Sequence, residues 1–394
     1  MSEWKECKLG EVAEIQTGPF GSLLHQRDYK VVGTPIITVE HLGENRVLHQ
    51  NLPLVGDADK ERLKRYIIYE GDIVFSRVGS VDRRAYVSKR ENGWMFSGRL
   101  LRVRPDRKLV SSMYLSYYFG QEDFKEHIRR IAVGATMPSI NTSILSGVDI
   151  LLPPLPEQRD IASVLSSLDD KIDLLHRQNK TLEAMAETLF RKWFVVGADE
   201  GWDSVRVGDF VHTNVASINR NNTLKTIRYL DTGSLTEGKI DGYQTFDIAD
   251  APSRARRIVK HNDVLISTVR PNQKHYGILK NPTEDVIVST GFCVITCDKI
   301  NPHFIYILLT TDEMTEYLHS IAEGSTSTYP SLKPSDIEGL VFQLPPQEKL
   351  DAFSEYADNA WSKIEYNHTQ IRTLEKLRDT LLPKLMGGEV RLKI

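Results

Sequence analysis

The sequence predicts an α+β fold: two similar mixed α/β domains joined by two long helices that pair as an antiparallel coiled coil, in a pseudo-twofold arrangement. Three observations carry this. The 394-residue chain repeats itself with a period of about 192 residues, close to half its length. Each half closes on a Leu-Pro-Pro tripeptide, Leu152-Pro153-Pro154 and Leu344-Pro345-Pro346, where proline stops regular structure. After each tripeptide, apolar residues continue at helical spacing.

The repeat rests on echoes that keep their order. Trp4…Leu9-Gly10-Glu11 returns as Trp202…Val207-Gly208-Asp209, and Gly71-Asp72-Ile73-Val74-Phe75-Ser76 returns as Asn262-Asp263-Val264-Leu265-Ile266-Ser267. Ser97-Gly98 returns as Thr290-Gly291, and Gly134-Ala135-Thr136…Pro138-Ser139-Ile140 as Gly324-Ser325-Thr326…Pro330-Ser331-Leu332. Within each half, short runs rich in Val, Ile and Phe between Gly, Asn and Asp read as strands. They include 36–39, 72–76, 100–103, 264–269 and 291–296. Short helices are expected within 112–130 and 302–321. The implied domain limits are 1–152 and 197–344, with the helices in 153–196 and 345–394.

The helices have the clearest physical signature. Ile161, Leu165, Leu168, Ile172, Leu175, Asn179, Leu182, Ala186, Leu189 and Trp193 alternate spacings of four and three, a heptad seam. Phe353, Ala357, Ala360, Ile364, Asn367, Ile371, Leu374, Arg378, Leu381 and Leu385 repeat it. Each stripe can bury the other. In an antiparallel pair, facing positions share a constant residue-number sum. Setting Asn179 against Asn367 fixes that sum at 546 and makes the other central pairs apolar. A shift of one heptad would leave each amide facing hydrocarbon, at a cost of ~1–3 kcal/mol. Arg378 then faces Leu168 and must reach past the seam to water or Asp169.

The net charge of −3 argues against a general nucleic-acid binder, but the local distribution does not. Between Arg77 and Lys108 ten basic residues meet three acids; between Arg254 and Lys280 seven meet one. Two basic islands at matching places in a repeat suit two phosphate-binding sites. The loop Arg77-Val78-Gly79-Ser80-Val81-Asp82-Arg83-Arg84 follows a strand expected to be buried, and Thr268-Val269-Arg270-Pro271-Asn272-Gln273-Lys274-His275 matches it. Arg77, Arg83, Arg84, Arg270, Lys274 and His275 are the candidate DNA contacts, with Asn272 and Gln273 as candidate adenine readers. His261 and His275 read as phosphate or base contacts, since no partner has metal-ligand spacing.

The three cysteines, Cys7, Cys293 and Cys297, form no metal or disulfide pattern; the last two read as small core residues on one strand face. No apolar run is long enough for a membrane span, and Met1–Gly10 carries no signal pattern, so a cytoplasmic protein is expected. No Asn-Pro-Pro-aromatic tetrapeptide, glycine-rich nucleotide fingerprint or phosphate loop is present. Asp231…Glu237-Gly238-Lys239 mimics a nuclease cluster but reads better as a hairpin turn.

Several stretches resemble a known family. Pro153-Pro154-Leu155-Pro156-Glu157-Gln158-Arg159-Asp160-Ile161, Lys171-Ile172-Asp173, Asn179-Lys180-Thr181-Leu182-Glu183 and Leu189-Phe190-Arg191-Lys192-Trp193-Phe194 lie along the first helix. Lys363-Ile364-Glu365 and Leu381-Leu382-Pro383-Lys384-Leu385-Met386-Gly387-Gly388-Glu389 lie along the second. These resemble the central and C-terminal conserved regions of Type I restriction-modification specificity subunits. Gly18-Pro19-Phe20-Gly21-Ser22 and Gly71-Asp72-Ile73-Val74-Phe75-Ser76-Arg77 resemble motifs of their target-recognition domains. The second half departs at Gln347-Glu348, where the first has Glu157-Gln158, and at Asn262, where the first has Gly71; neither departure touches a chemical role in this reading. The resemblance implies a non-catalytic subunit that reads a bipartite double-stranded DNA target, one half-site per domain. It implies two docked modification subunits that methylate adenine with S-adenosylmethionine, and restriction subunits that use ATP and Mg. No cofactor is expected in this chain. The alternatives are a self-contained DNA adenine methyltransferase with divergent motifs and a coiled-coil scaffold that does not bind DNA.

Overall fold

The computed structural model of the chain describes residues 4–19, 21–219, 222–324 and 331–392. It divides into two compact units, Met1–Leu174 with Ile371–Ile394, and Leu175–Gln370. The division cuts both long helices, Leu155–Phe190 and Gln347–Met386, so each unit owns a segment of each.

The first unit is built on an antiparallel four-stranded sheet in the order Ala13–Thr17, Leu100–Pro105, Ile73–Ser76, Arg84–Tyr86. Strand Ile73–Ser76 is apolar almost throughout because both its faces are covered. Side chains alternate across a strand. Ile73 and Phe75 enter a core with Tyr114, Phe124, Leu165 and Leu385, while Val74 enters another with Ile36, Met95 and Phe96. A smaller sheet, Leu54–Val55, Thr34–Ile37, Met95–Phe96, lies under that second core and contains one parallel pair. Strand Asp149–Leu152 pairs with Lys5–Lys8, so the Leu-Pro-Pro tripeptide begins where this pairing ends.

The second unit repeats the plan. Its sheet runs Val211–Thr213, Phe292–Cys297, Val264–Ser267, Tyr276–Ile278, in the same relative order and again antiparallel. Val264 and Ile266 face a core with Phe190, Phe304 and Phe353; Leu265 and Val294 face another. The second sheet here has four strands rather than three, in the order Gln244–Asp247, Thr226–Leu230, Val286–Ser289, Ala255–Ile258, and again contains one parallel pair, Thr226–Leu230 with Val286–Ser289. Val341–Leu344 closes onto Asp203–Arg206 as its counterpart does in the first unit. Cys293 is in the core and Cys297 packs against the same core; both thiols are free, and burial pushes both up to about 12.

The expected helical stretches are each broken once, giving Ser112–Tyr118 with Glu122–Ile131, and Pro302–Thr310 with Asp312–Glu323. Thr311 makes the second break a helix start: its side chain accepts from the Met314 N–H at 3.2 Å. The first break brings Gly120 against the Arg84 guanidinium, where no Cβ would fit. The first long helix ends in a π-helical turn, Arg191–Val196, which no periodicity announced.

Every seam position of both long helices is buried or half-buried. In the second unit, Asn367 Nδ2 donates to Asn179 Oδ1 at 2.7 Å, with Ala186, Ala357, Ala360 and Ile364 in the surrounding core. In the first unit, Arg378 Nη1 donates to Asp169 Oδ1 at 3.0 Å, and Tyr117 donates to the other oxygen at 2.5 Å. Gln158 has a structural role that the sequence did not suggest. Its Oε1 accepts from the Ser111 N–H at 2.8 Å, anchoring the first long helix to the start of Ser112–Tyr118. Gln347 in the second half only meets Asp351; there Asn301 donates to Asp358 at 3.0 Å instead.

Candidate nucleic-acid interface

In both units a fully buried strand delivers the chain into a short loop that is latched in the same way. Asp72 and Asp263 sit at the strand starts and accept backbone N–H groups three residues back, Tyr69 at 2.8 Å and Lys260 at 2.7 Å. The residue before each aspartate is left-handed, at φ 89° for Gly71 and φ 69° for Asn262. Asparagine tolerates that region, so its replacement of glycine is conservative. At the strand ends, Ser76 Oγ donates to the Val78 carbonyl at 3.0 Å and Ser267 Oγ to the Val269 carbonyl at 2.9 Å.

A second segment pins each loop from the side. In the first unit, Gly79 N–H donates to Pro138 O at 2.8 Å and Ile140 N–H to Arg77 O at 2.9 Å. In the second, Leu332 N–H donates to Thr268 O at 2.8 Å. These pinning residues are the echoed Pro-Ser-Ile and Pro-Ser-Leu motifs. The repeat showed them, but their partners were not legible. Residues 325–330 of the second motif, and Phe20 of Gly18–Ser22, lie outside the described residues.

The candidate contacts separate once their surroundings are visible. Arg83 is exposed, its guanidinium resting on the Leu42 carbonyl, and Arg77 is half-buried at the loop entrance. Arg84 must be corrected. It is 3% exposed, donates to Ser116 O at 2.9 Å and pairs with Glu44 at 3.0 Å, so it holds the sheet and cannot meet a DNA phosphate. In the second loop Arg270, Asn272 and Gln273 are exposed on a short turn, Pro271–Gln273. That turn is flanked by two left-handed residues, Arg270 at φ 48° and Lys274 at φ 56°. Such strain in non-glycine residues persists where the surroundings impose it, commonly at binding sites. Lys274 is already engaged, with Asp312 at 2.7 Å and Glu237 at 3.4 Å; these carboxylates raise its pKa. His275 Nδ1 lies 2.8 Å from Leu235 O, a bond that fixes the ring to the neighbouring hairpin. His261 Nδ1 accepts from Asn281 N–H at 3.1 Å. That hairpin, Leu235–Thr236 with Lys239–Ile240, turns at Glu237-Gly238, and Asp231 caps its approach rather than joining a nuclease cluster.

The basic islands are also less basic than their residue counts. Arg102, buried, pairs with Glu14 at 2.7 Å, and Arg104 embraces Asp72 at 2.8 and 2.7 Å. The exposed cations of the first island are Arg83, Lys89, Arg90, Arg99, Arg107 and Lys108. Among the described residues, no group of His, Cys, Asp and Glu could hold a metal ion. No helix among them is long and apolar enough to cross a membrane.

Comparisons with known proteins fit this arrangement. Residues 1–184 match the family described as Type I restriction modification DNA specificity domain. The Type I restriction enzyme MjaIX specificity subunit of Methanocaldococcus jannaschii is 30% identical over 308 residues, covering 72% of this chain and 70% of that protein. The Type I restriction enzyme HindI specificity subunit of Haemophilus influenzae is 23% identical across 99% of this chain and all of its own length. The crystal structure of the Type I restriction-modification S subunit from M. genitalium superposes with a TM-score of 0.63 at 14% identity, covering 100% of this chain and 97% of that one, and so shares the fold. With a doubled plan, two latched loops and relatives matched over most of their length, this chain belongs to the specificity subunits of Type I restriction enzymes.

Proposed function

We propose that each unit reads one half of a bipartite double-stranded DNA target through the loop that follows its buried strand. The observation that carries this is the doubled latch: two loops with different exposed side chains held by the same backbone and serine hydrogen bonds. A shared frame with divergent tips suits a protein that reads two different half-sites. Arg83 and Arg77 are the contacts of the first loop, and Arg270, Asn272 and Gln273 those of the second. A guanidinium fits guanine or phosphate, and a side-chain amide fits adenine. Lys274 and His275 act as positioning residues for the second loop. Two modification subunits bind S-adenosylmethionine and methylate adenine on the assembled complex, and restriction subunits supply the ATP- and Mg-dependent steps.

The test uses the chain assembled with its modification subunits. Mapping methylated adenines in the host genome should print a motif in two parts. Arg83→Ala and Arg270→Ala should each weaken binding about tenfold and lower the slope of log affinity against log salt by about one. Unchanged affinity at physiological salt would remove the loops from the interface.

A further inference from the structure

We infer that the hairpin from Val133 to Ser139 is a second base-reading element of the first unit, with the Met137 side chain contacting the 5-methyl group of a thymine in the half-site. This rests on the DNA-reading assignment above and extends it to a segment with no positive charge of its own.

The hairpin is closed by paired backbone hydrogen bonds, Val133 N–H to Ser139 O at 2.9 Å and Ser139 N–H to Val133 O at 2.8 Å. Ser139 Oγ adds a third bond to Val133 O at 3.1 Å. Gly134 turns at φ 107°, with space that a Cβ would lose to the Met137 carbonyl at 2.8 Å. Its far end is fixed to the reading loop through Pro138 and Ile140, so hairpin and loop present one surface. Val133 at the base of the hairpin and Met137 in its turn are exposed, each 63% accessible, and neither joins an apolar cluster among the described residues. Folding of the unit does not require them there.

The setting identifies the occupant as DNA. The helix leading into the hairpin, Glu122–Ile131, carries Arg129 and Arg130 in its last turn; Arg129 pairs with Asp82 of the reading loop at 2.8 Å, and Arg130 is exposed. Arg83 and Arg99 are exposed on the neighbouring segments, the Arg99 carbonyl accepting from Arg77 N–H at 3.0 Å. A small apolar turn tied to segments that carry the exposed Arg83, Arg99 and Arg130, with Arg129 held by Asp82 and Glu122, is poorly matched to the apolar centre of a protein interface. It is well matched to a groove, where phosphates flank base edges and the thymine methyl is the apolar feature. The flexible thioether of methionine adapts to such a contact.

The experiment uses the assembled complex and its mapped target, with deoxyuridine replacing each thymine in turn to remove one methyl group at a time. One position in the half-site of the first unit should cost the wild-type complex about three- to tenfold in affinity. Met137→Ala should lose the same amount on unmodified DNA and nothing more at that position, with thermal unfolding unchanged. If the wild type discriminates cognate from scrambled duplex but Met137→Ala keeps the full deoxyuridine profile, this inference fails while the loop assignment stands. A variant that assembles poorly with modification subunits yet keeps that profile makes the hairpin a protein-docking element and overturns the inference. A wild-type complex that does not discriminate at all removes both.

Discussion

At the level of single residues, one repeat position shows how the same group acquires opposite energetic signs. Asp72 and Asp263 start equivalent strands and cap equivalent turns. Across the sheet, Asp72 meets Arg104, whereas Asp263 meets Thr296 Oγ1 at 2.7 Å. With no guanidinium paired to it as Arg104 is to Asp72, the Asp263 carboxyl is pushed up from its ordinary range by burial, against the opposing pull of Thr296, the Lys260 N–H and the Lys260 charge. A carboxyl with a raised folded-state pKa favours the fold while protonated, and that benefit fades as pH climbs through the folded value. Asp263→Asn should therefore equal or exceed the wild type in thermal stability at pH 7, with the difference narrowing toward pH 4. Asp72→Asn should instead lose about 1–2 kcal/mol, because it leaves the Arg104 guanidinium, 32% exposed, without its carboxylate. Thermal unfolding of the two variants at both pH values checks the pair of signs; equal effects would mean that the cross-sheet partner is irrelevant. Arg84, Arg102 and Arg104 also mark where sequence reading stopped. Their carboxylate partners Glu44, Glu14 and Asp72 lie 40, 88 and 32 residues away, so a local charge count saw only the positive half of each pair.

Among the elements, the long helices were the most legible because a heptad seam is written in neighbouring residues. The asparagines extended that local pattern to a long-range one: a shared residue-number sum selects a register, and the Asn367–Asn179 bond lies in it. Asn179 Nδ2 and Asn367 Oδ1 have no partner among the described residues, so the pair is only half satisfied. Either single change to leucine should then cost about 1–3 kcal/mol by stranding the remaining amide. The double change should recover most of that loss and shows what the pair costs relative to an apolar seam. A double-mutant cycle on unfolding free energy measures it, and additive single losses would show that the amides do not interact. The loops were less legible. Their position and basic character followed from the repeat, but the segment that pins each one is separated from it by about sixty residues, and such pairings leave no local period. The π turn at Arg191–Val196 carries Phe194 into the core with Val264 and Ile266, and the break at Gly120 abuts Arg84, distant partners that likewise leave no local period.

Across the whole molecule, the two units differ in how the chain builds them. The second is one continuous stretch of 196 residues, Leu175–Gln370, whereas the first takes its last segment from Ile371 onward. Leu381, Leu382, Leu385 and Met386 fill the core that Ile161 and Leu165 line. A chain cut after residue 370 should keep the second unit resistant to limited proteolysis while the first becomes readily cleaved; equal resistance of both would show that the closing segment is dispensable. The same discontinuity has a consequence in time. On the ribosome, the first half emerges with an apolar strip that nothing yet made can cover. At about 5–20 residues per second, the missing segment follows roughly 10–40 seconds later. Through that interval the second unit is still being made and the first stays open, so the nascent protein is a natural client for chaperones until the segment from Ile371 arrives.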